Sequence, residues 1–388
     1  MKNESALLIG ALRQAVTGSS AEFPEEIDWG GVVRLAQAHR VEALVCDGLK
    51  KSPDLWERVP QEVRSYLTRA YMQAVFFDAQ LDYIRHELQK KLCEANVRHI
   101  FLKGSELKYS YPVPALRTMC DLDVLVYAED FGILGKIAES MGGKAIHGDG
   151  NHRNYAFPNG VTVEFHPNLI HHDTPVGTQI NPGWQYTKPQ DKPGAMELTE
   201  EGFYLNTVCH LANHFVAGGV GVRFVLDVWV NRHLRKPEFD RAGVEAELEK
   251  FGLLDFAKKI ESLSELWFGE GEETPLLEEL GDYILTSGSH GTDRRAMLNA
   301  VSLSPGGTRV SALLGKAFYS RAEMEDRFTW VKGKPWLLPV AWLVRAFRAV
   351  TRHGGKILQW GKGTGDFTKD EIAQQKEKLN QFGIRPKR

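Results

Sequence analysis

The sequence predicts an α+β protein in which a small mixed β-sheet is flanked by helical modules on both sides. Three observations predict this fold: apolar residues recur at helical spacing early in the chain, alternate at strand spacing in the middle, and return to helical spacing later. These changes of period predict a helical N-terminal module, an α/β core, a loop or linker, a helical C-terminal module and a basic polar tail. The corresponding ranges are 1–95, 96–170, 171–194, 195–360 and 361–388.

Three segments of the N-terminal module have helical periodicity. They are residues 5–16, 29–50 and 61–96. Pro60 and Glu62 stand at the start of the third segment, where proline and acidic residues favour a helix N-terminus. We therefore expect only helices before the period changes.

Short strands and helices alternate in the core. "VRHIFLK" (97–103) and "DLDVLV" (121–126) are predicted strands, with the short helix "SELKYSY" between them and a longer helix over 129–142. "RNYAFP" and "VTVEFHP" follow, joined by Asn159-Gly160, and Asn-Gly is the strongest short hairpin signal. The sequence therefore predicts a β-hairpin at the end of the core.

Helices return after the Pro/Gly-rich loop. Thr199 and Glu201 mark the start of the first of them, and Gly218 lies at its end. "WLLPVAWLV" (336–344) is too short to span a bilayer, and we expect a buried helix there rather than an interfacial one. An exposed helix is predicted over 369–381.

Composition indicates an ordinary soluble protein. The 388 residues carry a net charge of −2, with 43% hydrophobic and 25% charged residues. Charge is uneven, because residues 331–388 contain 13 Lys and Arg against 4 Asp and Glu. The four cysteines are scattered without a CxxC pair, which indicates neither a disulfide framework nor a zinc site. We expect a cytoplasmic protein without a membrane span.

Two carboxylates open the strand "DLDVLV". Residues i and i+2 of a strand share a face, so Asp121 and Asp123 project together. The pair could lie at an exposed strand end, where water screens the repulsion. Alternatively it holds a divalent cation, since Mg²⁺ prefers carboxylate oxygens together with substrate phosphates.

Two neighbouring features favour the second interpretation. Gly104 and Ser105, after Lys103, follow a strand and open a helix, and such a turn offers backbone N–H groups and a hydroxyl to an anion. Glu164 alternates with apolar residues on a later strand. Together with Asp121-x-Asp123, these features predict a phosphate cradle beside a three-carboxylate metal site.

This order of motifs resembles the nucleotidyltransferase superfamily of the DNA polymerase beta type. More closely, "FLKG", "ALRTMCDLDVLV", "VEFHPNL", "HLANHF" and "VRFVLDV" resemble a bacterial family of uncharacterised nucleotidyltransferases, and "WGGVVRLAQAHRVEALVCDGL" and "KPWLLPVAWLVRAFRA" extend the similarity. The sequence departs from the superfamily pattern in the long spacing between Ser105 and Asp121 and in having Glu164 where Asp is commoner.

The resemblance implies Mg²⁺-dependent transfer of a nucleoside monophosphate (NMP) from a nucleoside triphosphate (NTP), ATP among them, to a hydroxyl-bearing acceptor. Asp121, Asp123 and Glu164 would be the catalytic residues and the ligands of two Mg²⁺ ions, with Glu164 as ligand, general base or both. Lys103 and Arg117 would contact the β- and γ-phosphates. Lys103 could instead be a solvated strand end, and Arg117 could neutralise Asp121.

Several other residues have less specific patterns. The histidines 147, 152, 166, 171 and 172 match no zinc spacing and are expected to be solvated loop residues. His210 and His214 share a helix face, either in the core or lining the cleft on the acceptor side. Arg223 and Asp227 are spaced for an ion pair within one helix.

The acceptor is left open by the sequence: a small molecule, a protein side chain or an RNA end. Nucleic acid is not favoured, because no aromatic stacking ladder accompanies the site. One alternative is a non-catalytic, nucleotide-binding regulatory or interaction protein with the same fold. Another is RNA binding through the basic tail.

Overall fold

A computed structural model of the chain describes residues 2–19, 23–146, 152–170, 180–181, 183–235, 238–289, 291–348, 351 and 367–385. Helices occupy the N-terminal module, as predicted. They are α1 (Asn3–Thr17), α2 (Trp29–His39), α3 (Glu42–Lys50), α4 (Pro53–Arg58) and α5 (Gln61–Glu94). The segment of helical periodicity at 29–50 contains two helices, because Arg40 adopts a left-handed φ of 54° and ends α2.

The core contains a five-stranded mixed sheet. Its strands are β1 (His99–Phe101), β2 (Asp121–Val126), β3 (Lys144–Ile146), β4 (Arg153–Ala156) and β5 (Thr162–His166), in the order β1-β2-β5-β4-β3. The β2–β5 pair is parallel and the other neighbours are antiparallel. The predicted hairpin is the β4–β5 pair, and Gly160 in its turn has a φ of 87°.

Two helices belong to this core. They are α6 (Gly104–Leu107), a single turn after β1, and α7 (Phe131–Ser140) between β2 and β3. The predicted loop at 171–194 contains a strand, β6 (Thr187–Pro189), which pairs with β7 (Met196–Leu198). The loop prediction was therefore wrong for those three residues, while 171–179 and 182 lie outside the described part of the chain.

The C-terminal part is helical. It comprises α8 (Glu200–Val216), α9 (Val222–Val230), α10 (Arg241–Lys250), α11 (Leu254–Phe268), α12 (Pro275–Leu285), α13 (Asp293–Ser302), α14 (Arg309–Ala317), α15 (Arg321–Arg327), α16 (residues 338–348) and α17 (Lys369–Gln381). The predicted exposed helix is α17, which begins with a capping box between Thr368 and Glu371. No described helix is long and apolar enough to cross a membrane.

The two faces of the sheet pack against different cores. Leu122, Val124 and Val163 point to one side, where they join buried residues of α5 and α7. On the opposite side, Leu125 packs into a larger core that includes residues of α1, α3, α8, α9 and α11. The predicted α+β fold is confirmed, and the division into five modules remains a prediction.

Candidate active site

The acidic residues predicted for the site lie on the two strands that form the parallel pair. The β2–β5 register places Asp123 opposite Glu164 and Asp121 opposite Thr162. Cross-strand partners project to the same side of a sheet, and residues i and i+2 do so as well. Asp121, Asp123 and Glu164 therefore share one face, the one that Leu125 turns toward the larger core.

Asp123 has two cationic neighbours. Lys103 Nζ donates a hydrogen bond of 2.9 Å to Asp123 Oδ1, and His166 Nε2 lies 2.8 Å from the same oxygen. His166 Nε2 is also 3.4 Å from Glu164 Oε2, while Asn154 donates to Glu164 Oε1 at 3.1 Å. Asp123 and Glu164, which lie opposite each other, thus each contact a polar side chain on a neighbouring strand.

Lys103 reaches this position through unusual backbone geometry. It adopts a φ of 55° and a ψ of −125°. The preceding residue, Leu102, donates its backbone N–H to the Asp123 carbonyl at 3.0 Å. A positive φ at a residue other than glycine is sparsely populated and costs on the order of 1–3 kcal/mol. The fold tolerates that cost at the residue whose ammonium group contacts Asp123.

The electrostatic environment separates the three carboxylates. Burial and the neighbouring Asp123 raise the pKa of Asp121 to about 6. Burial would also raise the pKa of Asp123, but Lys103 and His166 outweigh it and hold that pKa well below its ordinary value. The hydrogen bond from His166 lowers the pKa of Glu164. Asp121 is thus the carboxylate that binds a proton most readily.

The pKa of His166 is raised despite its burial. Desolvation alone would lower it, but the hydrogen bonds to Asp123 and Glu164 favour the imidazolium. The expectation of solvated loop histidines was wrong for His166 and His152, which are 8% and 9% exposed. Histidines 147, 171 and 172 lie outside the described residues. The alternation in "VEFH" could have identified His166, because it places this residue on the same strand face as Glu164.

The predicted phosphate cradle has a different internal arrangement. The Ser105 hydroxyl is buried and donates to the Leu102 carbonyl at 2.8 Å, so its proton is already used. A Cβ at Gly104 would collide with the guanidinium of Arg117. Gly104 therefore gives Arg117 room to pack against the turn.

Arg117 is paired with Asp227 rather than with Asp121. Its Nη2 and Nε lie 2.6 Å and 3.2 Å from Asp227 Oδ2 and Oδ1, and Tyr111 donates to Oδ1 at 2.6 Å. The predicted Arg223–Asp227 helix pair was therefore wrong, since Arg223 donates to the backbone carbonyl of Thr118 instead. Asp227 faces the segment before β2 and not the neighbouring turn of its own helix.

All the predicted site residues line one cavity of about 430 Å³. The carboxylates and Lys103 form one wall. The other is formed by α8 and α9, with Asn206, Thr207, His210, Asn213, His214, Arg223 and Phe224. The volume falls within the usual range of small-molecule sites.

His210 and His214 line the cavity and are half-buried. Their Nε2 atoms are 3.1 Å apart, so one ring donates to the other. Burial and the charge of Lys103 hold the pKa of His210 well below its ordinary value. His210 is therefore neutral near pH 7.

The chemistry of the donor set fits a divalent cation. One ligand atom each from Asp123, Glu164 and His166 lies within 4.8 Å of the others. This set differs in one member from the predicted Asp121, Asp123 and Glu164. Carboxylates suit Mg²⁺ or Mn²⁺, and the imidazole widens the choice toward other transition metals.

A mixed sheet whose central parallel pair directs three carboxylates into one cavity is consistent with a nucleotidyltransferase-type α+β fold. The chain belongs to the family described as "uncharacterised nucleotidyltransferase", whose model matches residues 25–269. This match confirms the predicted family and the class of enzyme. It ends before "KPWLLPVAWLVRAFRA", whose similarity remains a prediction. Comparisons with curated proteins and with solved structures found no match.

We predict that Asp121→Asn stabilises the fold near neutral pH when EDTA removes divalent cations. The folded pKa of about 6 lies above the ordinary 3.8, so the ionised carboxylate destabilises the folded state. The variant should gain about 1–3 kcal/mol in free energy of unfolding above pH 6. That gain should disappear as the pH falls from 6 to below 4, where both states of the wild type are protonated.

Urea unfolding of both proteins at several pH values measures this difference. Asp130→Asn, on the turn before α7 and away from the cavity, is the control for the same chemical change. A variant less stable than wild type at pH 8 would show that Asp121 carries no electrostatic penalty.

Proposed function

We propose that this nucleotidyltransferase moves NMP from an NTP to a hydroxyl group of an acceptor, with a divalent cation bound. One observation carries the proposal: the parallel β2–β5 pair directs Asp121, Asp123 and Glu164 into the same cavity. Acidic residues clustered on one wall of a cavity are costly unless a cation or proton balances them. The family supplies the reaction class, and the cavity supplies a place for it.

Asp123 and Glu164, with His166 beside them, would hold the cation, and Asp121 would complete a second position in the predicted two-metal arrangement. Mg²⁺ is the ion we propose, because two carboxylates and substrate phosphates are its usual ligands. A bound cation would offset negative charge on the phosphate oxygens during transfer.

A side chain must take up the proton of the attacking hydroxyl group. Asp121 is the best candidate before cations bind, because its pKa of about 6 lies near the working pH. The acceptor oxygen would bond to the α-phosphorus, the bond to the β-phosphate oxygen would break, and pyrophosphate would leave. From the sequence, Glu164 was expected to be a cation ligand, the general base or both, and its lowered pKa suits cation binding better.

The phosphates of an NTP need positively charged side chains that are not already paired with a carboxylate of the protein. Lys103 and Arg117 each contact a carboxylate, at 2.9 Å and 2.6 Å. Arg40 and Arg223 also line the cavity, and among the described residues no ion pair is found for either. Burial and the neighbouring Arg117 lower the pKa of Arg223, which shows the cost of its environment. An anionic ligand would remove that cost, so we place the triphosphate along Arg40 and Arg223.

The α8 wall has neutral hydrogen-bonding groups. The Oδ1 atoms of Asn206 and Asn213 are buried without a hydrogen-bond partner in the described structure. An unsatisfied buried polar atom costs about 1–3 kcal/mol, so a ligand that pairs with it gains affinity. With His210 and His214 these amides offer a surface for the nucleoside or for the hydroxyl acceptor.

We predict that Arg223→Ala weakens NTP binding by about 10- to 100-fold, which corresponds to one charge-assisted contact of about 1.5–3 kcal/mol. Its melting temperature should fall only slightly, because no described carboxylate loses an ion pair and the main loss is the hydrogen bond to the Thr118 carbonyl. Isothermal titration with a non-hydrolysable NTP measures the affinity. Arg34→Ala is the control, since Arg34 is exposed and pairs with Asp28 outside the cavity. Unchanged affinity in Arg223→Ala would remove Arg223 from the triphosphate site.

A labelled-nucleotide assay tests the function itself. Each of the four NTPs, labelled at the α-phosphate or in parallel at the γ-phosphate, is incubated with the protein, Mg²⁺ and a cell extract as a mixed source of acceptors. NTPs are supplied in the cytoplasm, where we place the reaction, and the four cysteines are free thiols as that compartment requires. Label should pass from the α-phosphate and not from the γ-phosphate. Transfer of γ-label, or no transfer from any NTP, would contradict the proposal.

A further inference from the structure

Exposed apolar side chains concentrate in one part of the described chain. Of seventeen large apolar residues with exposed side chains, nine lie between residues 310 and 347. This segment follows the range matched by the family model, residues 25–269, and none of the residues that are described as lining the cavity belongs to it. The concentration marks a surface with a role of its own, since single exposed apolar residues are ordinary but clusters are not.

The first half of this surface is one face of α16 and the turn before it. Trp336, Val340, Leu343 and Phe347 follow each other at intervals of four, three and four residues, and they are 70%, 49%, 72% and 71% exposed. That spacing places all four side chains on one side of a helix. The expectation of a buried helix was wrong for this side.

The other side of α16 is packed. Ala341 is fully buried in a small separate core with Met324, Phe328 and Val331. The helix is therefore apolar on both sides, with one of them exposed. A helix of this kind is normally covered by protein or by lipid.

The second half is a similar face of α14. Val310, Leu314 and Phe318 recur every four residues and are 66%, 50% and 56% exposed. The Phe318 ring contacts Trp342 of α16 edge to face, with centroids 5.4 Å apart. This contact packs the end of α14 against Trp342, on the side of α16 that faces the small core. We call the two exposed faces together the α14–α16 surface.

Basic residues predominate in the segment that carries α16, while Glu325 of α15 lies nearby and accepts a hydrogen bond from the Gly333 amide at 3.3 Å. No Asp or Glu occurs between Asp326 and Asp366, whereas eight Lys and Arg residues do. Lys332 and Lys334 are exposed immediately before Trp336. Two copies of this surface would repel each other, and a negatively charged partner would be attracted.

We propose that the α14–α16 surface binds peripherally to an anionic lipid bilayer. Helix α16 would lie in the plane of the interface, with the exposed apolar side chains among the acyl chains and with Lys332 and Lys334, which precede the helix, at the headgroups. Basic residues beside Trp, Phe and Leu on one apolar helix face are typical of such interfacial helices. RNA fits less well, because valine and leucine side chains offer no stacking to bases.

Vesicle flotation of the full chain tests the proposal. Wild-type protein should float with vesicles of phosphatidylcholine mixed with phosphatidylglycerol, and much less with phosphatidylcholine alone or at high salt. Leu343→Ser combined with Phe347→Ser should weaken this binding about tenfold or more.

The chain offers a matched control for that double variant. Met72 and Phe76 of α5 have the same spacing and are 62% and 69% exposed, so Met72→Ser with Phe76→Ser removes a similar apolar area elsewhere. This control should bind as wild type does. Lys332→Glu with Lys334→Glu should reduce binding to anionic vesicles while leaving the melting temperature unchanged.

Three results would overturn the proposal. They are no flotation with anionic vesicles, equal loss of binding in both serine variants, or a concentration-dependent dimer in ultracentrifugation that only the α16 variant abolishes. Salt-sensitive binding of RNA without binding of vesicles would assign the basic segment to nucleic acid instead. Nucleotidyl transfer to a water-soluble acceptor should be equal in all these variants, so the outcome is independent of the proposed reaction.

Discussion

Asp123→Asn should lower nucleotidyl transfer by about 10²–10⁴-fold, the range seen when one charged or hydrogen-bonding group is removed from a catalytic set. Asn keeps the shape of Asp but loses the charge that Lys103, His166 and the proposed cation share. The assay with α-labelled NTP measures the rate. Asp130→Asn, outside the cavity, should transfer as wild type does.

The same substitution should also destabilise the fold. Three neighbouring carboxylates repel one another, so the sequence alone suggests that losing a charge at Asp123 is neutral or stabilising. The structure reverses this expectation for Asp123, because its carboxylate is buried and contacts Lys103 and His166 at 2.9 Å and 2.8 Å. Removing one partner of a buried pair costs about 3–5 kcal/mol. The gain in stability from reduced repulsion is expected instead when Asp121, whose pKa is raised, loses its charge.

Loss of activity must therefore be separated from loss of fold. Circular dichroism and urea unfolding at the assay temperature show what fraction of Asp123→Asn is folded, and the rate is corrected for it. Mn²⁺ binding, followed by electron paramagnetic resonance, gives a second measurement. In a sample that is shown to be folded, weaker Mn²⁺ binding reports the loss of a cation ligand and not the loss of the fold. A folded Asp123→Asn variant with wild-type transfer would remove Asp123 from the catalytic set.

Local periodicity explains what the sequence could predict. Strand β2 has the predicted bounds, Asp121–Val126, and α17 has the bounds predicted for the exposed helix. Period-two alternation also predicts that Asp121 and Asp123 share a face. It cannot predict which strand lies beside β2, because the parallel partner β5 is more than thirty residues away and is chosen by packing.

Partners on distant elements could not be predicted for the same reason. Arg223 and Asp227 have ideal spacing for a helix pair, yet Asp227 contacts Arg117, 110 residues away in sequence. The spacing of two residues in the sequence predicts their contact only within one helix or strand. Tertiary packing decides which side of α9 contacts the turn before β2. Two arginines consequently exchange roles: Arg117 pairs with a carboxylate, and Arg223 lines the cavity without one.

Arg117→Ala should lower the free energy of unfolding by about 3–5 kcal/mol, because it leaves Asp227 buried and uncompensated. The sequence interpretation expected mainly weaker NTP binding from this change. The two side chains of the pair are 10% and 7% exposed, so water cannot replace the lost partner. Urea unfolding measures the change, and the Arg34–Asp28 pair supplies the control. Those side chains are 72% and 55% exposed, so Arg34→Ala should cost at most about 1 kcal/mol.

A double variant separates the ion pair from packing. Arg117→Met with Asp227→Leu removes both charges while retaining apolar volume, and replacing a buried pair in this way is often neutral. It should recover most of the stability that Arg117→Ala loses, although the Tyr111 hydroxyl, 2.6 Å from Asp227 Oδ1, also loses its acceptor. If Arg117→Ala alone were as stable as wild type and bound NTP weakly, Arg117 would be a phosphate ligand. The Asp227 contact would then be a resting arrangement that the nucleotide displaces.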